Sequence, residues 1–192
     1  MNPYNIKFGQ TIKSEVGSID RVFTGHILFV EPAAQSVTGI LAATALTDGG
    51  QSITGGITDP DVARSVKIKG NAATITGDVV ITGTNIKDEE MTETIALNGS
   101  TEVLGNKAFK TIASIDLPVE VNAGTDTVSV GTANKLGLPY LLSRNTILKA
   151  YRDNSLEGTA PTVTVSASAI ESNTVLLNSA LNGTNIDVYL MV

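Results

Sequence analysis

Residues 63–117 read ARSVKIKGNAATITGDVVITGTNIKDEEMTETIALNGSTEVLGNKAFKTIASIDL, and this stretch decides the fold class. In 63–69 the side chains alternate, with Val66 and Ile68 on one face. Alternation of period two is the signature of a half-buried strand. Short strands are expected at 73–76, 78–84 and 91–97. Asn98-Gly99 is a strong two-residue hairpin signal, because both positions tolerate positive φ. It predicts a hairpin into 101–104. A turn at Gly105-Asn106 then leads to a long strand over 108–117.

Outward from this block the same grammar continues. Upstream, 19–30 (IDRVFTGHILFV) predicts a strand stopped by Glu31-Pro32. Residues 36–47 are rich in Ala and Leu and fit one strand, two strands or a short helix. Asp48-Gly49-Gly50 and 54–61 read as turns. Downstream, strands are expected at 127–130, 146–152, 162–167, 174–177 and 187–192. The last is apolar and ends the sequence, so it must pair within a sheet or form a sticky edge. Residues 1–18 have weak periodicity and predict an extended N-terminal arm. The expected fold is all-β, an antiparallel β-sandwich or jelly-roll domain over 19–192. A separate subregion over 19–60 is an alternative.

Composition supports strands over helices. The 192 residues include 18 Gly and no Cys, and only 17% are charged. Thr and Val suit pleated, half-buried surfaces. Without Trp, and with four Phe and four Tyr, the core must rest on Val, Ile, Leu and Ala. The absence of Cys excludes disulfides and thiolate metal sites. A net charge of −6 disfavours a nucleic-acid partner, which needs a basic footprint. No apolar run approaches the ~18–20 residues of a membrane-spanning helix, so no membrane role is expected. The first residues carry no basic and apolar leader, so cytosolic synthesis is expected.

The search for chemistry yields no catalytic, cofactor-binding or metal-ligating assignment. His26 is the only histidine and lies mid-strand, without a nucleophile elbow elsewhere. It is expected to be structural. Asp59 and Asp61 flank Pro60, and Asp88, Glu89 and Glu90 form a second acidic cluster; neither has calcium-loop spacing. Both are expected to be solvated turns. Gly49-Gly50 and Gly55-Gly56 lack the Lys-Ser/Thr of a phosphate loop. Lys67, Lys69, Lys107, Lys110, Lys149 and Arg152 are spread among strands, where edge lysines block stray pairing. Tyr140, Tyr151 and Tyr189 are expected at the core or its rim.

Several strings, taken in order, resemble tailed-bacteriophage structural proteins. They are Thr82-Gly83-Thr84-Asn85, MTETIALNG at 91–99, KAFKTI at 107–112, DTVSVG at 126–131, LGLPY at 136–140, and LNSALNG at 177–183 before Asp187-Val188-Tyr189. The resemblance spans about residues 60–192. It implies a virion structural protein of the capsid decoration (cement) type, made in the host bacterial cytoplasm and placed on the capsid surface. The implied partners are the major capsid protein and further copies of itself, as a dimer or trimer. No enzymatic activity is expected. Alternatives are another virion part (head fibre, tail or baseplate module) or a carbohydrate-binding, adhesin-like module.

Overall fold

The structure, a computed structural model, describes residues 12–14, 17–19 and 23–192. Sixteen strands occur among these residues. They are β1 Ile12–Ser14, β2 Gly17–Ile19, β3 Thr24–Phe29, β4 Ser36–Ala45, β5 Gln51–Ile53, β6 Arg64–Gly70, β7 Asp78–Thr84 and β8 Glu90–Ala96. The second half holds β9 Val103–Phe109, β10 Thr111–Leu117, β11 Thr127–Gly137, β12 Ile147–Arg152, β13 Ser155–Leu156, β14 Thr162–Thr164, β15 Thr174–Leu176 and β16 Ile186–Met191. One 3-10 turn, Ile170–Ser172, is the only helical element among the described residues.

Among the described residues the strands form three packed sheets and one two-stranded hairpin. The front sheet runs β5-β10-β7-β8. The central sheet runs β14-β15-β11-β6-β9, with β4 also on β11. The C-terminal sheet runs β13-β12-β16-β3. Among the described residues β1 and β2 pair only with each other. The ladders between named strands are all antiparallel. The fold is therefore the all-β, sandwich-like one that the alternation predicts.

Two cores flank the central sheet. The first joins Ile81, Ile95, Ile112 and Ile115 of the front sheet to Val66, Ile68, Val128 and Val130. The second joins Ile27, Phe29, Val188 and Leu190 of the C-terminal sheet to Leu136, Leu138 and Val175. β11 takes part in both. Its first half pairs with β4, and its end pairs with β15. Opposite β6 the register jumps between Thr132↔Val66 and Leu136↔Arg64, so β11 carries extra residues there. β4 passes so close that a Cβ on Gly131 would overlap the Ser36 carbonyl oxygen.

Several expectations need correction. The Asn98-Gly99 turn forms, with Gly99 at φ +57°, but it is not a hairpin. β8 pairs with β7 and β9 with β6, so the chain leaves the front sheet for the central one. Packing of the turn on residues 70–75 decides this: the Gly70 N–H donates to Gly99 O, and the Gly99 N–H to Ile75 O. The long strand 108–117 breaks at Lys110. Residues up to Phe109 belong to the central sheet, and those from Thr111 belong to the front sheet. Residues 73–76 form a turn rather than a strand, with Ile75 inserted into the first core. The Ala-Leu stretch becomes a single strand, β4. Strand 127–130 continues to Gly137, because β11 has partners on both edges on each side of its irregular step. The terminal strand, β16, lies between β12 and β3, paired on both sides as its apolar pattern requires. The expected arm over 1–18 lies outside the described residues, apart from those in β1 and β2.

Candidate functional site

The C-terminal sheet sets side chains from four strands in rows on its outer face. Register puts Leu156, Tyr151, Asp187 and Leu28 side by side across β13, β12, β16 and β3. The next row is Lys149, Tyr189 and His26. Alternation explains the selection. In β3 the burial pattern puts Gly25, Ile27 and Phe29 inward and Thr24, His26 and Leu28 outward. β16 likewise buries Ile186, Val188 and Leu190.

The row is bound together by aromatic and polar contacts. His26 stacks on Tyr189 with ring centroids 4.7 Å apart. Tyr151 meets Tyr189 edge-on at 5.8 Å. His26 Nε2 lies 2.6 Å from Asp187 Oδ1. A hollow of about 330 Å³ opens between Thr24, Leu148, Lys149, Tyr151 and Tyr189. Leu148 at its rim is 51% exposed, and Leu28 and Leu156, in the row of Tyr151 and Asp187, are 48% and 54% exposed. A sheet face that carries half-exposed leucines beside partly buried tyrosines departs from the usual polar outer face of an antiparallel sheet.

Beside this face lies a groove of about 580 Å³, walled by β3 on one side and by residues 59–63, Ile86 and Lys110 on the other. Val30, at its lip, is 62% exposed. β3 is the last strand of its sheet, so among the described residues its outer backbone edge has no neighbour.

The acidic clusters are structural ties, not solvated turns alone. Asp59 Oδ1 accepts from the Ile112 N–H at 2.8 Å. Asp61 accepts from the Ala33 N–H at 2.6 Å and from Arg64 Nη1 at 3.0 Å. Burial pushes the Asp61 carboxyl up, but the Ala33 N–H and Arg64 outweigh it and hold it below the ordinary value. Arg64 is fully buried; its Nε donates to Ala133 O at 2.7 Å, at the irregular step of β11. It thus ties the strand where its neighbour changes from β4 to β15. Asn85 organises the second cluster by accepting from the Lys87 and Glu89 N–H groups. Asp126 is held below the ordinary carboxyl value by the Asn122 side chain and by the Asn122 and Val121 N–H groups.

Glu93 occupies an inward position on β8, between Met91 and Ile95, where alternation calls for an apolar residue. Its carboxylate accepts from the Asn106 N–H at 2.6 Å and the Lys107 N–H at 3.3 Å, which ties β8 to β9 across two sheets. Burial raises its pKa above the ordinary value despite those bonds and the nearby Lys107 and Lys135 charges.

The basic residues follow more than one logic. Lys107 lies on β9, an end strand of the central sheet. Lys67 and Lys69 lie on β6, which has neighbours on both sides, so edge blocking is not their role. Lys67 is 3% exposed and reaches Glu102 at 2.9 Å. Among the described residues no three His, Asp or Glu side chains converge as metal ligands. No helix there is long and apolar enough to cross a membrane.

Sequence reading singled out His26, Tyr151 and Tyr189, but not their juxtaposition. His26 and Asp187 are 161 residues apart in sequence. Only strand register brings them together; the signal available was the shared outward parity of 24, 26 and 28 and of 187, 189 and 191. No protein-family model matches the chain, and neither a curated protein nor a solved structure does.

Proposed function

We propose that this protein is a virion structural protein that decorates and stabilises a phage capsid through protein–protein contacts. The observation that carries this reading is the outer face of the C-terminal sheet, where Leu28, Leu148 and Leu156 stand half-exposed around Tyr151 and Tyr189. Apolar side chains and tyrosines in one rigid plane suit a protein surface. The ordered phage-like strings supply the particle. Repetition over a lattice turns modest contacts into strong attachment. The partner on this reading is the major capsid protein, with further copies of this chain as a second contact.

The test is stoichiometry in purified virions, measured by quantitative mass spectrometry. The expected result is a fixed ratio to the major capsid protein, commensurate with its lattice. Leu28→Asp with Leu156→Asp should lower that ratio while the protein stays folded. Absence from particles overturns the reading. Self-assembly into rings under electron microscopy would replace it with a tail component.

The stacked His26–Tyr189 pair and the hollow beside Lys149 favour a second reading, a carbohydrate-binding module, since aromatic rings and polar groups at one rim suit a sugar. Micromolar binding on a glycan array that Tyr189→Ala removes would establish it.

A further inference from the structure

Both neighbours of β6 step out of register at the same place. On β11 the pairing jumps from Thr132↔Val66 to Leu136↔Arg64, and on β9 from Ala108↔Ser65 to Leu104↔Lys67. Residues 133–135 therefore stand opposite Ser65, and residues 105–107 opposite Val66, outside the regular ladders. Irregular steps of this kind re-aim side chains. Here they bring Lys135 of β11 to Asn106 of β9, across the strand that lies between them. Lys135 Nζ donates to Asn106 Oδ1 at 3.1 Å and to Gly105 O at 3.3 Å. A C=O bond of about 1.23 Å then keeps Nζ within roughly 4.3 Å of the Asn106 carboxamide carbon. Lys67, Lys107 and Lys110 differ, since each reaches a carboxylate, of Glu102, Glu171 and Asp88 respectively.

Glu93 completes the cluster. Its carboxylate accepts from the Asn106 N–H at 2.6 Å and lies close enough to Lys135 to feel its charge. The strand beside it makes room: a Cβ on Gly105 would stand 2.7 Å from Glu93 Oε2. Burial raises the affinity of Glu93 for a proton above that of an ordinary glutamate. A carboxyl of that kind can take up a proton and return it during a reaction. An amine, a carboxamide and a buried carboxyl thus meet on three strands held by the fold. Fixed orientation is what an otherwise slow attack of an amine on an amide needs.

We infer that Lys135 and Asn106 join in an intramolecular isopeptide bond, with Glu93 as the group that carries the proton. The Glu93 carboxylate takes one proton from the Lys135 ammonium. The freed Nζ attacks Asn106 Cγ and forms a tetrahedral carbon. The bond from Cγ to the carboxamide nitrogen then breaks as the carbonyl re-forms. The departing nitrogen takes one proton from Nζ and one from Glu93, and leaves as ammonium. Glu93 returns to its carboxylate form, and no oxidant or reductant is consumed. Asn106 is exposed, so the ammonium passes directly to solvent. The new bond ties β9 to β11 over β6 and clamps the central sheet. This does not rest on capsid decoration and concerns the isolated protein.

Intact-mass spectrometry of the purified full chain tests it. The expected mass is lower than that of the sequence by one ammonia. Digestion should release a branched peptide that joins the segments around Asn106 and Lys135. Lys135→Arg and Asn106→Ala should each keep the full mass. Glu93→Gln keeps an acceptor for the Asn106 N–H but carries no proton. Its bond should form ~100-fold more slowly or worse, read as full mass in freshly purified, folded protein. Full mass in the folded parent overturns the inference. An ammonia loss that survives in Lys135→Arg also overturns it, because the loss then belongs to another site. Glu93→Gln losing ammonia as completely as the parent would overturn the proton-carrying role of Glu93. A bonded chain that is absent from virions would count against the proposed function alone.

Discussion

The front and C-terminal sheets are built alike inside and differently outside. Both bury alternate aliphatic side chains against the central sheet: Val79, Ile81 and Ile115 in one, Ile27, Val188 and Leu190 in the other. Outside, β8 of the front sheet presents Glu90, Thr92 and Thr94, and β10 presents Thr111, Ala113 and Asp116. The C-terminal sheet presents Leu28, His26, Tyr151 and Tyr189. Inward residues specify the fold and are interchangeable between the sheets in kind. The outward ones carry the difference, and on the proposed function contact with a partner belongs to the C-terminal face.

The largest expected effect falls where the two halves meet. Arg64→Ala removes the donors to Ala33 O, Ala133 O and Asp61. Breaking a buried, paired charge costs about 3–5 kcal/mol. A fall in the denaturant midpoint checks this; an unchanged midpoint would mean that the irregular step of β11 holds without its tie. Next come the cores. Ile115→Ala and Leu190→Ala, both fully buried, should each cost about 2–5 kcal/mol. Because β11 serves both cores, each variant should shift one common transition. Two transitions in Leu190→Ala would show that the halves unfold independently.

The pH response separates the inward carboxylates. The Glu93 pKa is raised by burial, so the folded chain holds this proton more tightly than the unfolded chain. Its contribution is fully present below the ordinary glutamate range and declines as pH rises through the raised value. Asp61 and Asp126 are lowered, so theirs is present above the ordinary range and is lost as pH falls through the lowered values. Thermal melts from pH 3 to 8 should show Glu93→Gln losing the decline on the alkaline side and Asp126→Asn losing part of the acid-side loss. Identical profiles for Glu93→Gln and the parent would refute the first assignment.

Most strands were legible because alternation is local: β7, β8, β12 and β16 appear nearly where 78–84, 91–97, 146–152 and 187–192 place them. What was not legible is sheet membership. Asn98-Gly99 and Lys110 look like a hairpin and a strand interior, yet both are points where the chain changes sheet. Nothing within a few residues encodes that; contacts with 70–75 and with Thr84 O do. Glu93 was hidden for a related reason. An acidic residue at an inward position reads as a break in the pattern until the β9 backbone that receives it is known. The candidate face needed register across four strands, which composition and motif cannot supply.

The smallest expected effect on stability is the one that most sharply tests the comparison. Thr92 lies on the outer face of the front sheet; its side-chain hydroxyl lies 3.3 Å from Thr82 Oγ1, and its bond from Lys107 Nζ is to the backbone carbonyl, which a substitution keeps. Thr92→Ala should change stability by no more than about 0.5 kcal/mol. Tyr189→Ala removes the His26 stack and the Tyr151 contact, and such pairs are worth about 0.5–1.5 kcal/mol each. Stability alone would therefore rank the two sheets close together. Binding should not: an aromatic anchor at an interface centre carries roughly 2 kcal/mol or more, about 30-fold in affinity. Particle binding by Tyr189→Ala should fall by that factor, and binding by Thr92→Ala should hold. Equal losses would mean that both outer faces meet the partner, and the chemical contrast between them would no longer locate the site.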